Sequence, residues 1–141
     1  MGLDNSIYLH VRQRIDFEST PEYIDLGSPG IDGNDICYEL IYFRKSWAFR
    51  AMMYDVLAKH GVVCDSNCGS FDFPASVPII QDIQDGLCHF LKHPSEWDDG
   101  NQTFFMETSY KYIALDILIL SWVIEQLPNI PNAYLTFSDS W

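Results

Sequence analysis

The chain has 141 residues, of which 48% are hydrophobic and 15% aromatic, so a single domain with a large core is expected and wholesale disorder is excluded. Twenty acidic residues against eight basic residues give a net charge of −12. A field of this sign repels nucleic acid and anionic membranes. We therefore expect one domain over residues 1–141 that binds neither nucleic acid nor membrane directly. The negative charge would suit a basic protein partner, or it would simply keep an apolar chain soluble.

Two features of the sequence predict a cytoplasmic protein with reduced thiols. The first residues lack the basic and apolar regions of a secretory signal. The longest apolar run, residues 112–124, is too short to span a bilayer and contains Asp116. The four cysteines are then expected to be free thiols.

The first predicted elements are a strand, a loop and a long helix. Residues 7–17 alternate between apolar and polar side chains, with Tyr8 and His10 on the polar side, which predicts a half-buried strand. Residues 18–35 are rich in Pro, Gly and Asp and predict an acidic loop. Residues 36–60 predict one helix, crowded with aromatic side chains and ended by the glycine that follows.

A second helix is predicted after a turn-rich segment over residues 62–74. Ser76 is its predicted cap, and Pro78 lies in its first turn. Apolar residues recur along it at helical spacing until Pro94 ends it.

The last third of the chain predicts a third helix between two short strands. The strands cover residues 103–108 and the last ten residues, and the helix covers residues 110–127. This helix is apolar almost all round, which predicts burial on several sides. Together the elements predict an α+β domain, with about three helices packed on a small sheet and strands at both termini. Pairing of the first and last strands would be natural, but the pattern alone leaves it open.

The helix predicted over residues 36–60 raises a question about three of its polar residues. At about 100° per residue, Glu39, Ser46 and Arg50 fall close together at the edge of the aromatic side, whereas Trp47 falls on the core side. Glu39 and Arg50 would lie about 16 Å apart along such a helix, so each needs a partner elsewhere.

Two interpretations of these polar residues remain open. In the first they are structural: Glu39 pairs with a neighbouring strand, and Arg50 lays its aliphatic part over aromatic rings while its head meets an acid or water. In the second they line a shallow aromatic pocket for a ligand or a partner peptide. The first is favoured because buried charges usually find partners within the protein.

Three short blocks of sequence occur at the start, the middle and the end of the chain. Residues 1–4 read Met-Gly-Leu-Asp, residues 39–45 read Glu-Leu-Ile-Tyr-Phe-Arg-Lys, and residues 134–141 end in Ser-Asp-Ser-Trp. In this order they resemble the blocks of a loose group of small, uncharacterised tailed-phage and prophage proteins, in which the middle block opens a helix. Asn5 departs from the group, where an apolar residue is common, and residues 62–103 align with no block.

The resemblance implies a phage or mobile-element origin and a setting in the cytoplasm of a bacterial host, but it implies no reaction. It directs attention to Glu39, Tyr42, Arg44 and Lys45. With Arg50, these are the predicted binding residues. Arg44 and Lys45 would face solvent on the predicted helix, where they could instead pair with the acidic loop.

Histidines and cysteines in the middle of the chain offer the ligand types of a tetrahedral zinc site. They are His60, Cys64, Cys68, Cys88, His89 and His93. His89 and His93 are one helical turn apart, so both could face one metal. The spacing of the set matches no strong zinc-binding pattern, however, and each residue has an ordinary structural role, so we predict no metal and no cofactor.

Catalytic signatures are also weak in this sequence. It contains no nucleophile elbow and no glycine-rich phosphate loop, and we predict no catalytic residue. The function predicted first is that of a phage accessory protein that binds a host or phage protein and inhibits a host defence or nucleic-acid-handling enzyme through its acidic surface. One alternative is a small enzyme or ligand-binding domain that uses a helix face with Glu39, Tyr42 and Arg50. A further alternative is a virion or assembly component, and the oligomeric state is left open.

Overall fold

The computed structural model describes residues 4–16, 20–44, 46–64, 69–97 and 110–140. Its strands are β1 (Asp4–Val11), β2 (Gly30–Asp32), β3 (Asp35–Arg44), β4 (Gly69–Pro74) and β5 (Tyr134–Ser140). Its helices are α1 (Trp47–Lys59), α2 (Val77–Lys92) and α3 (Ile113–Gln126), and short 3₁₀ turns follow at Pro94–Glu96 and Leu127–Asn129. The predicted α+β class, with three helices and strands near both ends of the chain, is confirmed within these residues.

The strands form one antiparallel sheet in the order β2-β3-β1-β5-β4. β1 is therefore the central strand, hydrogen-bonded to β3 on one side and to β5 on the other. The pairing of β1 with β5 is the pairing of first and last strands that the pattern left open. It places residues more than a hundred positions apart in the sequence next to each other.

The core lies between the helices and one face of the sheet. Ile7 and Leu9 of β1 and Phe137 of β5 are fully buried there, and the ring of Phe137 meets that of Phe49 in α1 at 6.2 Å between centroids. Trp97, which follows the first 3₁₀ turn, is 2% exposed. Burying side chains of this size stabilises the fold by roughly 1.5–3 kcal/mol each.

Two of the predicted helices are confirmed. Ser76 occupies the N-cap position of α2, as predicted, but its side chain makes no capping hydrogen bond. The helix has a proline in its first turn and is amphipathic, with Ile80, Ile83 and Leu87 fully buried. α3 ends just before the second 3₁₀ turn, which contains Pro128. The buried residues of α3 lie on one broad side, whereas Ala114, Leu118, Ser121 and Glu125 are exposed along the other, so the predicted burial on several sides holds only in part.

The helix predicted over residues 36–60 is wrong in its first half. Residues 35–44 form β3, and α1 begins at Trp47 after Ser46, whose Oγ accepts a hydrogen bond from the backbone N of Phe49 at 3.1 Å. The sequence did not reveal this strand because the pairing of β3 with β1 contains a register shift, in which Leu40 is the extra residue. Leu40 and Ile41 are both buried, and two consecutive apolar residues disguise the two-residue period of a strand.

Several other predictions also need correction. The first strand ends at Val11 rather than at residue 17, and β2 lies in the segment predicted as loop. β4 lies in the segment predicted as turns. Trp47, which was assigned to the core, is 37% exposed. The strand predicted over residues 103–108 lies outside the described residues. Among the described helices, none has both the length and the apolar character needed to cross a membrane.

Candidate binding surface

The sheet presents its second face away from the helix-covered core. Because side chains alternate along a strand, the cross-strand neighbours of Tyr8 and His10 share this face. We call it the open face and define it by Asp4, Ser6, Tyr8 and His10 of β1, Asp32 of β2, Asp35, Cys37, Glu39, Tyr42 and Arg44 of β3, Ser70 and Asp72 of β4, and Tyr134, Thr136 and Ser138 of β5. Glu39, Tyr42, Arg44 and Asp72 on this face are exposed.

A shallow concavity of about 280 Å³ lies in the middle of the open face. All five strands contribute side chains to its wall, and the edge strand β2 contributes Asp32. His10 and Thr136 are almost completely buried in it, at 6% and 7% exposure. The concavity is therefore polar at its base.

A chain of hydrogen bonds fixes the base of the concavity. The Thr136 hydroxyl donates to Oδ1 of Asp72 at 2.6 Å, and its oxygen lies 2.9 Å from Nε2 of His10. Because the hydroxyl hydrogen points to Asp72, Nε2–H of His10 is the donor to Thr136. Nδ1 of His10 is buried and has no hydrogen-bond partner among the described residues. The His10 ring stacks on Tyr134, with centroids 4.3 Å apart.

Two tyrosines of the open face are held by carboxylates. The Tyr42 hydroxyl donates to Oδ1 of Asp4 at 3.0 Å, and the Tyr134 hydroxyl donates to Oδ2 of Asp35 at 3.2 Å. Burial raises the pKa of both tyrosines, and the hydrogen bonds to these carboxylates raise it further. Both hydroxyls therefore remain protonated at neutral pH, and both rings have a fixed orientation.

Cys37 is the thiol of the open face, and its cross-strand partner is His10. Burial raises the pKa of this thiol, and the charges of Asp32 and Glu39 raise it further. A catalytic cysteine needs the opposite shift, because the thiolate is the nucleophile. The surroundings of Cys37 therefore disfavour nucleophilic catalysis.

The structure separates the predicted binding residues. Glu39, Tyr42 and Arg44 lie on the open face, along β3. Lys45 lies outside the described residues. Arg50 lies in α1 and contacts Asp139, whose side chain is on the helix-covered face of β5. The proposed helix face with Glu39, Tyr42 and Arg50 is therefore wrong, because two of these residues are in a strand and the third lies on the other side of the sheet.

Arg50 has a partner inside the protein. Its Nε lies 2.7 Å from Oδ2 of Asp139, a carboxylate with no exposed side-chain surface. Asn5 Nδ2 donates to Oδ1 of the same carboxylate, and the Tyr54 hydroxyl donates to Oδ2, both at 2.9 Å. Burial, followed by this hydrogen bond, raises the pKa of Tyr54 to about 12. The guanidinium also lies over the Tyr54 ring, 4.7 Å from its centroid.

The base of the concavity was only partly visible in the sequence. The alternation of residues 7–17 placed Tyr8 and His10 together on a polar side, and the structure confirms this. No pattern in the sequence indicated that Asp72 and Thr136 lie beside His10, because the sequence did not predict β4 or its pairing with β5.

Comparison with known proteins gives no further guide to this surface. The chain matches no protein-family model, no curated protein sequence and no solved structure. The function of the open face has to be inferred from its own chemistry.

Proposed function

We propose that this chain is a phage or prophage accessory protein that acts without catalysis, by binding a basic surface of a host or phage protein in the bacterial cytoplasm through its open face. The observation that carries the proposal is the gathering of carboxylates and oriented tyrosines on one face of the sheet. The class of partner we favour is a host defence or nucleic-acid-handling enzyme.

The charge of the open face supports a basic partner. It has five carboxylates against one guanidinium, and the guanidinium belongs to Arg44. Arg12 reaches Asp35 from the end of β1, with Nε 3.2 Å from Oδ1, but the Arg12 side chain is itself largely exposed. Clustered charge of one sign accelerates encounter with a partner of the opposite sign, and salt weakens this effect.

The tyrosines supply the contact area that charge alone lacks. Tyrosine is enriched at the energetic centres of protein interfaces because one end of its side chain is apolar and the other is polar. Tyr42 is 48% exposed while its hydroxyl is held by Asp4. A side chain that is already oriented loses less conformational entropy when it binds, which strengthens association.

The proposed partner class follows from the same chemistry. An enzyme that handles nucleic acid has a surface rich in Lys and Arg, which neutralises phosphates. A row of carboxylates on a folded sheet offers that surface an alternative set of anions. Occupying the surface would block the nucleic acid, so inhibition needs no reaction.

A charge-reversal experiment tests the open face. The variant Asp32→Lys/Glu39→Lys changes two exposed residues of this face. The control Asp85→Lys/Glu125→Lys changes the net charge by the same amount at exposed positions of α2 and α3. Each protein is immobilised, proteins are captured from a bacterial host lysate at low and high salt, and captured proteins are identified by mass spectrometry.

We expect the wild type and the control to capture the same basic protein, and the open-face variant to lose it. The association rate with the purified partner should fall steeply with salt while the dissociation rate changes little. Equal loss in the variant and the control would show that only net charge matters. Undiminished capture by the variant would remove the open face from the proposal.

A second candidate function is a small enzyme or ligand-binding domain centred on the concavity. The observation that favours it is the buried Nδ1 of His10, which has no hydrogen-bond partner among the described residues. A ligand with a hydrogen-bond donor would satisfy this atom. A fragment screen monitored by NMR would test this: ligands that shift the signals of His10 and Tyr134, and lose affinity in His10→Phe, would support it. A screen without such ligands would leave protein binding as the better proposal.

A further inference from the structure

A cluster of potential metal ligands lies at the end of α2, apart from the open face. His89 projects from the last turn of the helix, His93 is the residue that caps its C-terminal end, and Glu96 belongs to the 3₁₀ turn that follows. One ligand atom from each residue lies within 4.8 Å of the other two. Among the described residues, no other group of three His, Cys, Asp or Glu side chains brings its ligand atoms this close together.

The backbone explains why these three side chains meet. The backbone N of His93, just after the helix, bonds to the carbonyl of His89 at 2.9 Å, and this brings the two ring centroids to 4.4 Å apart. Pro94 cannot continue the helix, and the chain turns so that the Glu96 backbone N bonds to the carbonyl of His93 at 3.0 Å. The turn brings Oε2 of Glu96 to 2.7 Å from Nε2 of His89 and to 3.9 Å from Nδ1 of His93.

The residue that follows the cluster is buried in the core. Trp97, the residue after Glu96, packs its ring edge-on against Phe43 of β3 and Phe90 of α2, at 5.0 and 5.2 Å between centroids. The backbone that carries Glu96 is therefore anchored in the core, while the three ligand side chains remain about half exposed. An anchored backbone with exposed ligands suits a site that takes up an ion from solution.

We propose that His89, His93 and Glu96 bind one divalent transition-metal ion, with Zn²⁺ as the representative ion. Two imidazoles and one carboxylate are a donor set that Zn²⁺ and Co²⁺ accept, whereas Mg²⁺ prefers oxygen ligands alone. Bonds of about 2.0–2.1 Å would place the ligand atoms about 3.3 Å apart in a tetrahedral site. The present separations differ from this by an amount that exposed side chains can adjust by small rotations.

Three protein ligands leave a coordination position open for water or an exogenous ligand. His89 and Glu96 also line a groove of about 400 Å³ between α1 and α2, together with the apolar side chains of Met52 and Phe90. A metal at this position would border the groove. It would also cross-link the end of α2 to the 3₁₀ turn, so it would stabilise the folded chain.

The site differs from the zinc hypothesis raised by the sequence. That hypothesis grouped His89 and His93 with cysteines, whereas the structure groups them with a carboxylate. Glu96 follows His93 by three residues, but its return toward His89 depends on the turn at Pro94. The inference does not rest on the proposed function, because no residue of the cluster belongs to the open face.

Metal titration of the full chain tests the site. Purified protein, stripped with a chelator, is titrated with ZnCl₂ by calorimetry and with CoCl₂ by absorption spectroscopy, with MgCl₂ as the comparison ion. The variants are His89→Gln, His93→Gln and Glu96→Gln. The control is His60→Gln, which removes an imidazole that pairs with Asp82 instead.

We expect one equivalent of zinc or cobalt to bind wild type and control, with at least about a tenfold loss of affinity in each cluster variant. Zinc should raise the melting temperature of the wild type and the control but not that of the cluster variants. Because the cluster is exposed, melting of the metal-free variants should match the wild type, so a lost site is distinguishable from a lost fold. Binding that appears only in large metal excess, persists in all three variants, or shows a thiolate-to-cobalt charge-transfer band would overturn the proposal, as would equal binding of Mg²⁺.

Discussion

Replacing Arg50 with methionine would test whether the Asp139 cluster is structural. The substitution keeps an unbranched side chain of similar length and removes the guanidinium. In the structure, the Asp139 side chain has no exposed surface and accepts hydrogen bonds from Arg50, Tyr54 and Asn5. Without Arg50, the carboxylate would keep the two neutral donors of Asn5 and Tyr54 but would lose its cationic partner.

The expected cost can be estimated from this geometry. Removing one partner of a buried ion pair typically destabilises a protein by about 3–5 kcal/mol. Two effects reduce the cost: the Arg50 side chain is 20% exposed, so water can reach the site, and the two remaining donors still solvate the carboxylate. We therefore expect Arg50→Met to lower the free energy of unfolding by about 2–4 kcal/mol, a large share of a domain's total of roughly 5–15 kcal/mol.

The assay is urea unfolding at neutral pH, with the midpoint compared at constant slope. Arg14→Met is the matched control, because Arg14 is exposed and the chemical change is the same; it should stay within about 0.5 kcal/mol of the wild type. A double-mutant cycle with Asp139→Asn should give a coupling energy of about 1–3 kcal/mol. A cost for Arg50→Met no greater than that of the control, with a coupling energy near zero, would refute the structural role of the pair.

Two further stability predictions follow from buried residues on the helices and the turn. Burial raises the pKa of Asp116 from 3.8 to about 8, so between these pH values the folded state retains a proton that the unfolded chain has released. The contribution of Asp116 to the free energy of unfolding should therefore fall as pH rises through this window, by up to about 1.4 kcal/mol per pH unit. Asp116→Asn should flatten this slope in urea titrations across the window, and an unchanged slope would contradict the assignment. Trp97→Ala should lower the free energy of unfolding by about 3–5 kcal/mol, because Trp97 is only 2% exposed. Trp47→Ala should lower it by less than about 2 kcal/mol, because Trp47 is 37% exposed. Equal losses for the two variants in urea unfolding would contradict this ranking.

The helices were more predictable from the sequence than the sheet. α2 has one apolar stripe, a proline in its first turn and a proline just after its end, so three local signals agree. β3 carries conflicting signals, because the extra residue at Leu40 breaks the alternation that would identify a strand. β4 is short, begins with Gly69 and ends with Pro74, so turn signals outweigh its two buried phenylalanines, Phe71 and Phe73.

The candidate surface was less predictable than any single element. The resemblance to phage and prophage proteins directed attention to Glu39, Tyr42 and Arg44, and these three do share one face. Arg50 was grouped with them because a single helix was assumed over both segments. The partners of His10 depend on strand order, and no local pattern specifies that β5 lies between β1 and β4.

The two faces of the sheet use carboxylates in different ways, and this difference makes the functional proposal testable. Asp139 is buried and is held by Arg50, Asn5 and Tyr54, so we expect the stability of the fold to depend on it. Asp32 and Glu39 on the open face are exposed, and charge changes at exposed positions usually move stability by less than about 0.5 kcal/mol. Reversing the exposed pair should therefore leave urea unfolding nearly unchanged while it abolishes partner capture. Loss of capture accompanied by an equal loss of stability would assign these carboxylates to the fold rather than to binding.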